Sequence, residues 1–309
     1  MALLIATPGR ESRALANALR RLAPALDLRV WPDCGDPAEI RFVLAWNAPQ
    51  GLFDQLPNLA GVSSLGAGVD GLVERTDLGP ELRLGRLAGP RLAADLAAYL
   101  VAVTVDHWKR LERFRDNQRA GRWQARMPRP TPTIGLLGTG VMGRKAAAAF
   151  AALDLEVLGW NRSRAPADGI EIEIDSGRDG LHRVAARADV LINLLPLTRD
   201  TRGILEAALF QRMRPDSLLI NVGRGAHLNE ADLLAALENK RPRHAVLDVF
   251  TTEPLPQSHP FWNHPQIRIT PHCAGLTAAD EAAQLALESY RRVISGEPPL
   301  GCVDRVKGY

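Results

Sequence analysis

Residues 133–143, TIGLLGTGVMG, decide the reading of this 309-residue chain. A short apolar run at 133–137 leads straight into Gly138-Thr139-Gly140-Val141-Met142-Gly143, and an alanine-rich helical run to Leu153 follows. Strand, glycine turn and helix in this order begin a dinucleotide-binding unit. Gly138 permits the tight turn, Gly140 lets the main chain approach a pyrophosphate, and Gly143 allows close packing of helix on strand. The helix N-terminus adds unpaired N–H groups and the positive end of its dipole. A lone GxGxxG is a weak signal, but here the flanks supply the strand and the helix that the motif requires. All six residues at 138–143 are therefore assigned to the cofactor.

Working outward, the segment before this unit already reads as alternating strands and helices. Strands are expected at 2–7, 28–31, 42–46 and 59–65, and a helix at 10–22 with apolar residues at Leu15, Leu19 and Leu22. Alternation of this kind implies a parallel sheet flanked by helices, with ligands at the carboxyl ends of the strands. Two loops lie at such ends. Ala45-Trp46-Asn47-Ala48-Pro49 follows one strand and Leu65-Gly66-Ala67-Gly68-Val69-Asp70 another, before a short helix at 69–74. The second loop either presents the N–H groups of Ala67 and Gly68 to a carboxylate or is a plain glycine connection. Trp46 is either a core aromatic or the wall of a pocket. A long helix is expected over 92–119, and three prolines in RMPRPTP (126–132) then form a linker. A domain boundary falls within or before that helix.

Beyond the fingerprint the alternation restarts. Strands are expected at 156–160, 190–194, 218–222, 245–250 and 267–270, with helices at 203–213, 231–240 (Asn229 as its N-cap) and 277–295. NAD-binding units place an Asp or Glu about 20 residues beyond the glycines to bond the ribose 2′-hydroxyl. The corresponding stretch here is Trp160-Asn161-Arg162-Ser163-Arg164, without a carboxylate. Arg162 and Arg164 would attract a 2′-phosphate that a carboxylate would repel. NADP(H) is therefore the expected cofactor, with NAD(H) the second choice.

Arg224, Glu253 and His272 each stand just past the carboxyl end of an expected strand, on the edge where the glycine turn would hold a cofactor. Arg224 has a permanently charged fork that matches a carboxylate. His272 can protonate a carbonyl oxygen as hydride reaches the carbon, and Glu253 on its other ring nitrogen would favour the imidazolium and raise its pKa. Taken singly, each residue could be ordinary loop chemistry; their joint placement makes them the catalytic candidates.

Composition narrows the class. Hydrophobic content of 46% and charged content of 24% describe a soluble globular chain of about two domains. The net charge of +3 comes from scattered residues, which disfavours nucleic acid as a partner and suits a small anion. Cys34, Cys273 and Cys302 form no CxxC spacing and no even set, which points to a reducing compartment without a structural disulfide. The apolar start is too short for a signal peptide and no run is long enough to span a membrane, so a cytoplasmic protein is expected.

Five longer motifs then carry a resemblance: GTGVMG (138–143), LINLLPLT (191–198), INVGRGAHLNEADLLAAL (220–237), LDVFTTEPLP (247–256) and TPHCAG (270–275). Through them the chain resembles the D-isomer-specific 2-hydroxyacid dehydrogenase family. AWNAP (45–49), SLGAGVD (64–70), WNRSR (160–164), HPFWNHP (259–265) and VDRVKGY (303–309) make it similar to the bacterial glyoxylate/hydroxypyruvate reductase branch. The resemblance implies an α/β fold of two doubly wound parallel-sheet domains. A Rossmann cofactor domain (93–275) would be inserted in a discontinuous flavodoxin-like substrate domain (1–92 and 276–309). It implies catalytic roles for Arg224, Glu253 and His272, and a substrate that faces Trp46 and the Ala67 and Gly68 amides as well as Arg224 and His272. It adds Asp248 as partner of the nicotinamide carboxamide and Leu195, Pro196, Val222 and Gly223 as further cofactor contacts. It implies a homodimer, with the arm at 117–123 reaching the neighbouring subunit, and no metal. The expected reaction is NADPH-dependent reduction of small 2-oxo acids, glyoxylate to glycolate and hydroxypyruvate to glycerate. The alternatives are a dehydrogenase of a bulkier 2-hydroxy acid and a non-catalytic NAD(P)-sensing module like the corepressors that share this fold. Two positions depart from the family pattern: Asn161 stands where serine is common, and Cys273 replaces a branched aliphatic, an expected point of oxidation beside His272.

Overall fold

The computed structural model describes residues 1–8, 12–162 and 172–309. Within them the chain divides into two compact units, residues 1–92 with 277–309 and residues 93–276. In the first unit run β1 (Ala2–Ala6), α1 (Arg13–Leu22), β2 (Asp27–Val30), β3 (Ile40–Ala45), β4 (Gly61–Ser64), α2 (Asp70–Val73) and β5 (Arg83–Arg86). Helix α3 (Pro90–Lys109) and α4 (Leu111–Arg119) follow. Next come β6 (Ile134–Leu137), α5 (Val141–Ala151), β7 (Val157–Asn161), β8 (Glu173–Ser176) and α6 (Gly177–Arg187). The second unit continues with β9 (Val190–Asn193), α7 (Ala207–Phe210), β10 (Leu218–Asn221), α8 (Glu230–Glu238), β11 (His244–Leu247) and β12 (Ile267–Ile269), and α9 (Ala279–Ile294) belongs to the first.

The first unit's sheet has the order β2-β1-β3-β4-β5, all parallel, which is the flavodoxin-like order. Every residue of β1 is buried. A strand covered on both faces has no polar side to alternate with, so it reads as the continuous apolar run ALLIA. Leu3, Ile5, Phe42 and Leu44 pack against Leu15 and Leu19 of α1 and Ala282, Ala283 and Ala286 of α9. Leu4, Ala6, Val43 and Ala45 form the opposite face with Leu52 and Phe53.

The second unit's sheet runs β12-β11-β10-β9-β6-β7-β8, again parallel. Counted from β6 this is the dinucleotide-binding order, reversing direction between β6 and β9. The register sets Leu137 beside Trp160 and Asn193, Asn193 beside Asn221, Asn221 beside Leu247, and Leu247 beside Ile269. The carboxyl ends of six strands therefore finish on one edge.

Several expectations on the elements are corrected. The helix expected over 92–119 is two, broken where Arg110 takes φ +52°. The helix expected over 203–213 is only the single turn α7. Strands β5 (RLGR) and β8 (EIDS) and helix α6 were not expected; both strands are edge strands too polar to show an apolar period. Asn229 does cap α8, its side chain accepting the Asp232 N–H.

Candidate active site

The glycine turn of the second unit has the form its sequence demands. Gly138 sits at φ +98°, and its N–H donates to the Trp160 carbonyl at 2.8 Å. A Cβ on Gly143 would lie 2.1 Å from the Gly138 carbonyl oxygen, so helix and strand approach as closely as two backbones can. Gly140 is the N-cap of the eleven-residue α5, with no side-chain cap on the first N–H groups. A Cβ at Gly140 would meet nothing within 4 Å. Uncapped donors, open space and the helix dipole together fit a dinucleotide pyrophosphate.

Asn161 closes this turn. Its Oδ1 accepts the Thr139 N–H at 2.8 Å and its Nδ2 bonds the Thr139 hydroxyl, so a neutral amide occupies the position where an acidic residue would read a ribose. Arg162 pairs with Asp200 at 3.6 Å, both side chains about half or more exposed. An exposed pair of this kind is worth about 0–1 kcal/mol, so the guanidinium can exchange Asp200 for a stronger anion. Ser163 and Arg164 lie outside the described residues. Leu195 is buried, Pro196 and Val222 are half-buried and Gly223 is buried, all at the same strand edge.

The three catalytic candidates are brought together with Asp248 on that edge. A Cβ on Gly225 would fall 1.9 Å from the Phe250 carbonyl carbon, so the loops after β10 and β11 touch backbone to backbone. Arg224 is half-buried and its Nη1 donates to the Gly223 carbonyl at 2.8 Å. Glu253 Oε2 lies 2.7 Å from His272 Nδ1, and its Oε1 accepts the Phe250 N–H at 2.9 Å. Burial opposes ionisation of Glu253, but the bonds from His272 and Phe250 and the charges of His272 and Arg224 outweigh it and hold its pKa below the ordinary value. An ionised carboxylate only accepts, so Nδ1 carries the hydrogen in this bond and Nε2 is the ring atom left to exchange a proton.

Asp248 is 2% exposed and fixes the turn that carries His272. Its Oδ1 accepts from the Thr270 hydroxyl (2.6 Å) and the Cys273 N–H (2.9 Å), its Oδ2 from the Ala274 N–H (3.0 Å). His272 donates its own N–H to the Asp248 carbonyl at 2.8 Å and takes φ +51°. The Asp248 carboxylate thus takes up the Thr270 hydroxyl and the Cys273 and Ala274 amides, with the Cys273 thiol bonded to it as well. Neither periodicity nor spacing signals this role. Burial, followed by the Asp248 charge, pushes the Cys273 thiol up, which disfavours its thiolate.

In the first unit Trp46, Ala67 and Gly68 are each half-buried. Ser64 Oγ donates to the Gly68 carbonyl at 2.6 Å and accepts the Gly66 N–H at 3.3 Å, and a Cβ on Gly66 would lie 3.0 Å from the Trp46 ring. Arg75, which the sequence did not single out, holds the Trp46 loop. Its fork grips Asp77 at 2.6–2.7 Å and donates to the Ala48 and Pro49 carbonyls at 2.6 Å, with the guanidinium 4.5 Å from the centre of the Phe53 ring. Among the described residues no His, Cys, Asp and Glu cluster is suited to a metal ion, and no helix is long and apolar enough to cross a membrane.

Comparison with known proteins agrees with this geometry. The model of the D-isomer specific 2-hydroxyacid dehydrogenase NAD binding domain matches residues 101–274. The chain belongs to the D-isomer-specific 2-hydroxyacid dehydrogenase family. Among its dehydrogenase relatives, the glyoxylate/hydroxypyruvate reductase A of Yersinia enterocolitica is 34% identical over 98% of both chains. That of Serratia proteamaculans is 37% identical over 96% of this chain and 95% of its own. A D-isomer specific 2-hydroxyacid dehydrogenase from Xanthobacter autotrophicus, solved with NADPH and MES, superposes with a TM-score of 0.93 at 35% identity, covering 100% and 99% of the two chains. An NADPH-dependent glyoxylate/hydroxypyruvate reductase from Sinorhizobium meliloti, solved with NADP and sulfate, gives 0.91 at 30% identity, again covering 100% and 99%. As a member of this dehydrogenase family the protein is an NAD(P)-dependent oxidoreductase.

Proposed function

We propose that this dehydrogenase reduces small 2-oxo acids with NADPH, glyoxylate and hydroxypyruvate foremost, and that His272 is the general acid. The observation that carries the reading is the 2.7 Å bond between His272 Nδ1 and an ionised Glu253, on the strand edge that holds the glycine turn. When bound, the reduced dinucleotide supplies the two electrons and the hydrogen that reach the 2-carbon of the substrate.

The chain's own residues do the rest. Glu253 fixes the imidazole ring through Nδ1 and turns Nε2 outward, so that Nε2–H can be given to the substrate oxygen as negative charge develops there. Arg224 receives the substrate carboxylate, which turns the 2-oxo group toward Nε2. Gly138–Gly143 and the first turn of α5 hold the pyrophosphate, with Leu195, Pro196, Val222 and Gly223 as neighbouring contacts and Asp248 as the partner of the carboxamide. Preference for NADP(H) is supported by Asn161 in the place of an acidic residue, by Arg162 beside it, and by the NADPH or NADP bound in the two solved relatives. In the first unit, the ordered loop at 64–68 offers the Ala67 and Gly68 amides as donors to a carboxylate, with Trp46 packed beside it. The same reading takes the protein as a cytoplasmic homodimer; the almost fully exposed Trp123 and Met127 are apolar surface that such an assembly would cover.

The test follows NADPH absorbance with glyoxylate, hydroxypyruvate, pyruvate and phenylpyruvate, with NADH in parallel. Turnover of the two small acids, faster with NADPH, is expected. Tight NADPH binding without turnover of any of them would overturn the reading in favour of a sensor, and turnover of phenylpyruvate alone would move it to bulkier acids.

A further inference from the structure

Beneath the Arg224 loop lies a buried polar cluster that the chemistry above does not use. His227, Asn193 and Asn221 are each 0% exposed. Between them they satisfy almost every main-chain polar group around Arg224. Asn221 Oδ1 accepts the Gly223 N–H at 3.2 Å, and Asn221 Nδ2 donates to the Arg224 carbonyl at 3.1 Å. His227 Nδ1 accepts the Arg224 N–H at 3.0 Å, and the His227 N–H donates to the Arg224 carbonyl at 3.2 Å. Asn193 Nδ2 also reaches His227 Nδ1, at 2.9 Å, and Asn221 Oδ1 at the same distance. On the other side of the ring, Nε2 lies 3.3 Å from the Pro196 carbonyl.

These contacts fix the tautomer. The Arg224 amide can only donate, so Nδ1 is the bare acceptor and Nε2 bears the hydrogen directed at Pro196. The imidazole is thus a rigid strut between two strand-end loops, the one after β9 that carries Leu195 and Pro196 and the one after β10 that carries Gly223 and Arg224. Gly223 presses directly on it: a Cβ there would lie 2.8 Å from Asn193 Nδ2 and 2.9 Å from His227 Nδ1. The main chain from which the Arg224 side chain departs therefore has no slack.

We propose that His227 is a positioning residue for the reaction, fixing the Arg224 main chain through Nδ1 so that the guanidinium meets the substrate carboxylate at a set place. The proposal rests on the reading of Arg224 as the carboxylate anchor. A buried residue that merely fills space would affect folding and cofactor binding together, whereas the Nδ1 bond of His227 acts on Arg224, on the oxo-acid side of the site.

Three substitutions separate the contacts in the full chain. His227→Asn keeps an acceptor near the Nδ1 position and loses the donor to Pro196. His227→Gln keeps a donor near Nε2 but has no acceptor at Nδ1, and His227→Leu has neither. KM and kcat for glyoxylate, the NADPH Kd from fluorescence titration, and Tm are measured for each. KM is expected to rise about tenfold in His227→Leu and His227→Gln, with NADPH Kd within about threefold of wild type, and to recover in His227→Asn. Should His227→Leu fail to fold, the Asn and Gln pair still decides. Unchanged KM in all variants, equal loss in Asn and Gln, or a Kd that rises in step with KM would overturn the positioning role. A wild-type protein inert toward 2-oxo acids, or an Arg224→Gln variant with unaltered KM, would overturn the functional reading and this inference with it. A KM sensitive to Arg224 but not to His227 would overturn this inference alone.

Discussion

Substituting Asp248→Asn tests whether the His272 turn is held as described. The carboxylate meets three donors, the Thr270 hydroxyl and the Cys273 and Ala274 amides, in a place with 2% exposure. Thr270 is itself braced, since the Tyr99 hydroxyl lies 2.7 Å from its oxygen. An asparagine has one acceptor atom and one donor atom there, so whichever way it faces, at least one buried donor meets an N–H instead of an oxygen. The less costly orientation orphans the Ala274 amide, at about 1–3 kcal/mol, and weakens the other two bonds from charge-assisted to neutral, at about 0.5–1 kcal/mol each. The sum is about 3 kcal/mol. For a unit the size of residues 93–276, each kcal/mol moves Tm by about 2–4 °C, so a fall of about 6–12 °C is expected. Because His272 sits in the left-handed region, which costs a non-glycine residue about 1–3 kcal/mol, loosening the turn also releases the imidazole, and kcat should fall. Scanning calorimetry and steady-state kinetics on the same preparation provide the assay. A Tm within about 2 °C of wild type with unchanged kcat would refute the argument that Asp248 holds the turn.

Three further outcomes are expected. His272→Ala should lose about 10²–10⁴-fold in kcat while NADPH still titrates normally, and near-native turnover would exclude it as the acid. Arg162→Ala should raise the KM for NADPH by at least about tenfold and leave that for NADH unchanged, because one charge-assisted phosphate bond is worth about 1.5–3 kcal/mol; equal effects on both cofactors would refute the phosphate role. Glu253 has a folded pKa below its unfolded value of about 4.3, so its stabilising contribution is present above that pH and is lost as pH falls through the folded value. Urea midpoints of wild type and Glu253→Gln should therefore differ at neutral pH and converge in acid, modestly, since the side chain is 35% exposed. A gap that widens on acidification would reverse the sign of this account.

Much of the second unit was legible because its strands are buried on both faces and its turns are spelled in glycine. The run ahead of Gly138 and the strand-end positions of Arg224, Glu253 and His272 follow from pattern alone, and parallel register then carries all of them to one edge. What escaped the sequence depends on three-dimensional satisfaction rather than on period. Strands β5 and β8 lie at sheet edges, where burial does not force an apolar pattern. The break at Arg110 is a single left-handed residue without a glycine or proline to announce it. Arg75, His227 and the turn-holding work of Asp248 are invisible in the same way, since their partners lie far along the chain or are carbonyl and amide groups that every residue has.

The contact at Gly225 bears on how this protein can diversify. With the Phe250 carbonyl carbon 1.9 Å from where its Cβ would stand, no other residue fits at 225 without parting the loop that bears Arg224 from the loop that bears Glu253. Arg224 and Glu253 are therefore tied together as one block, and a bulkier residue at 225 would displace both at once. Change in this protein has to be found in side chains elsewhere, leaving the spacing of these two loops untouched.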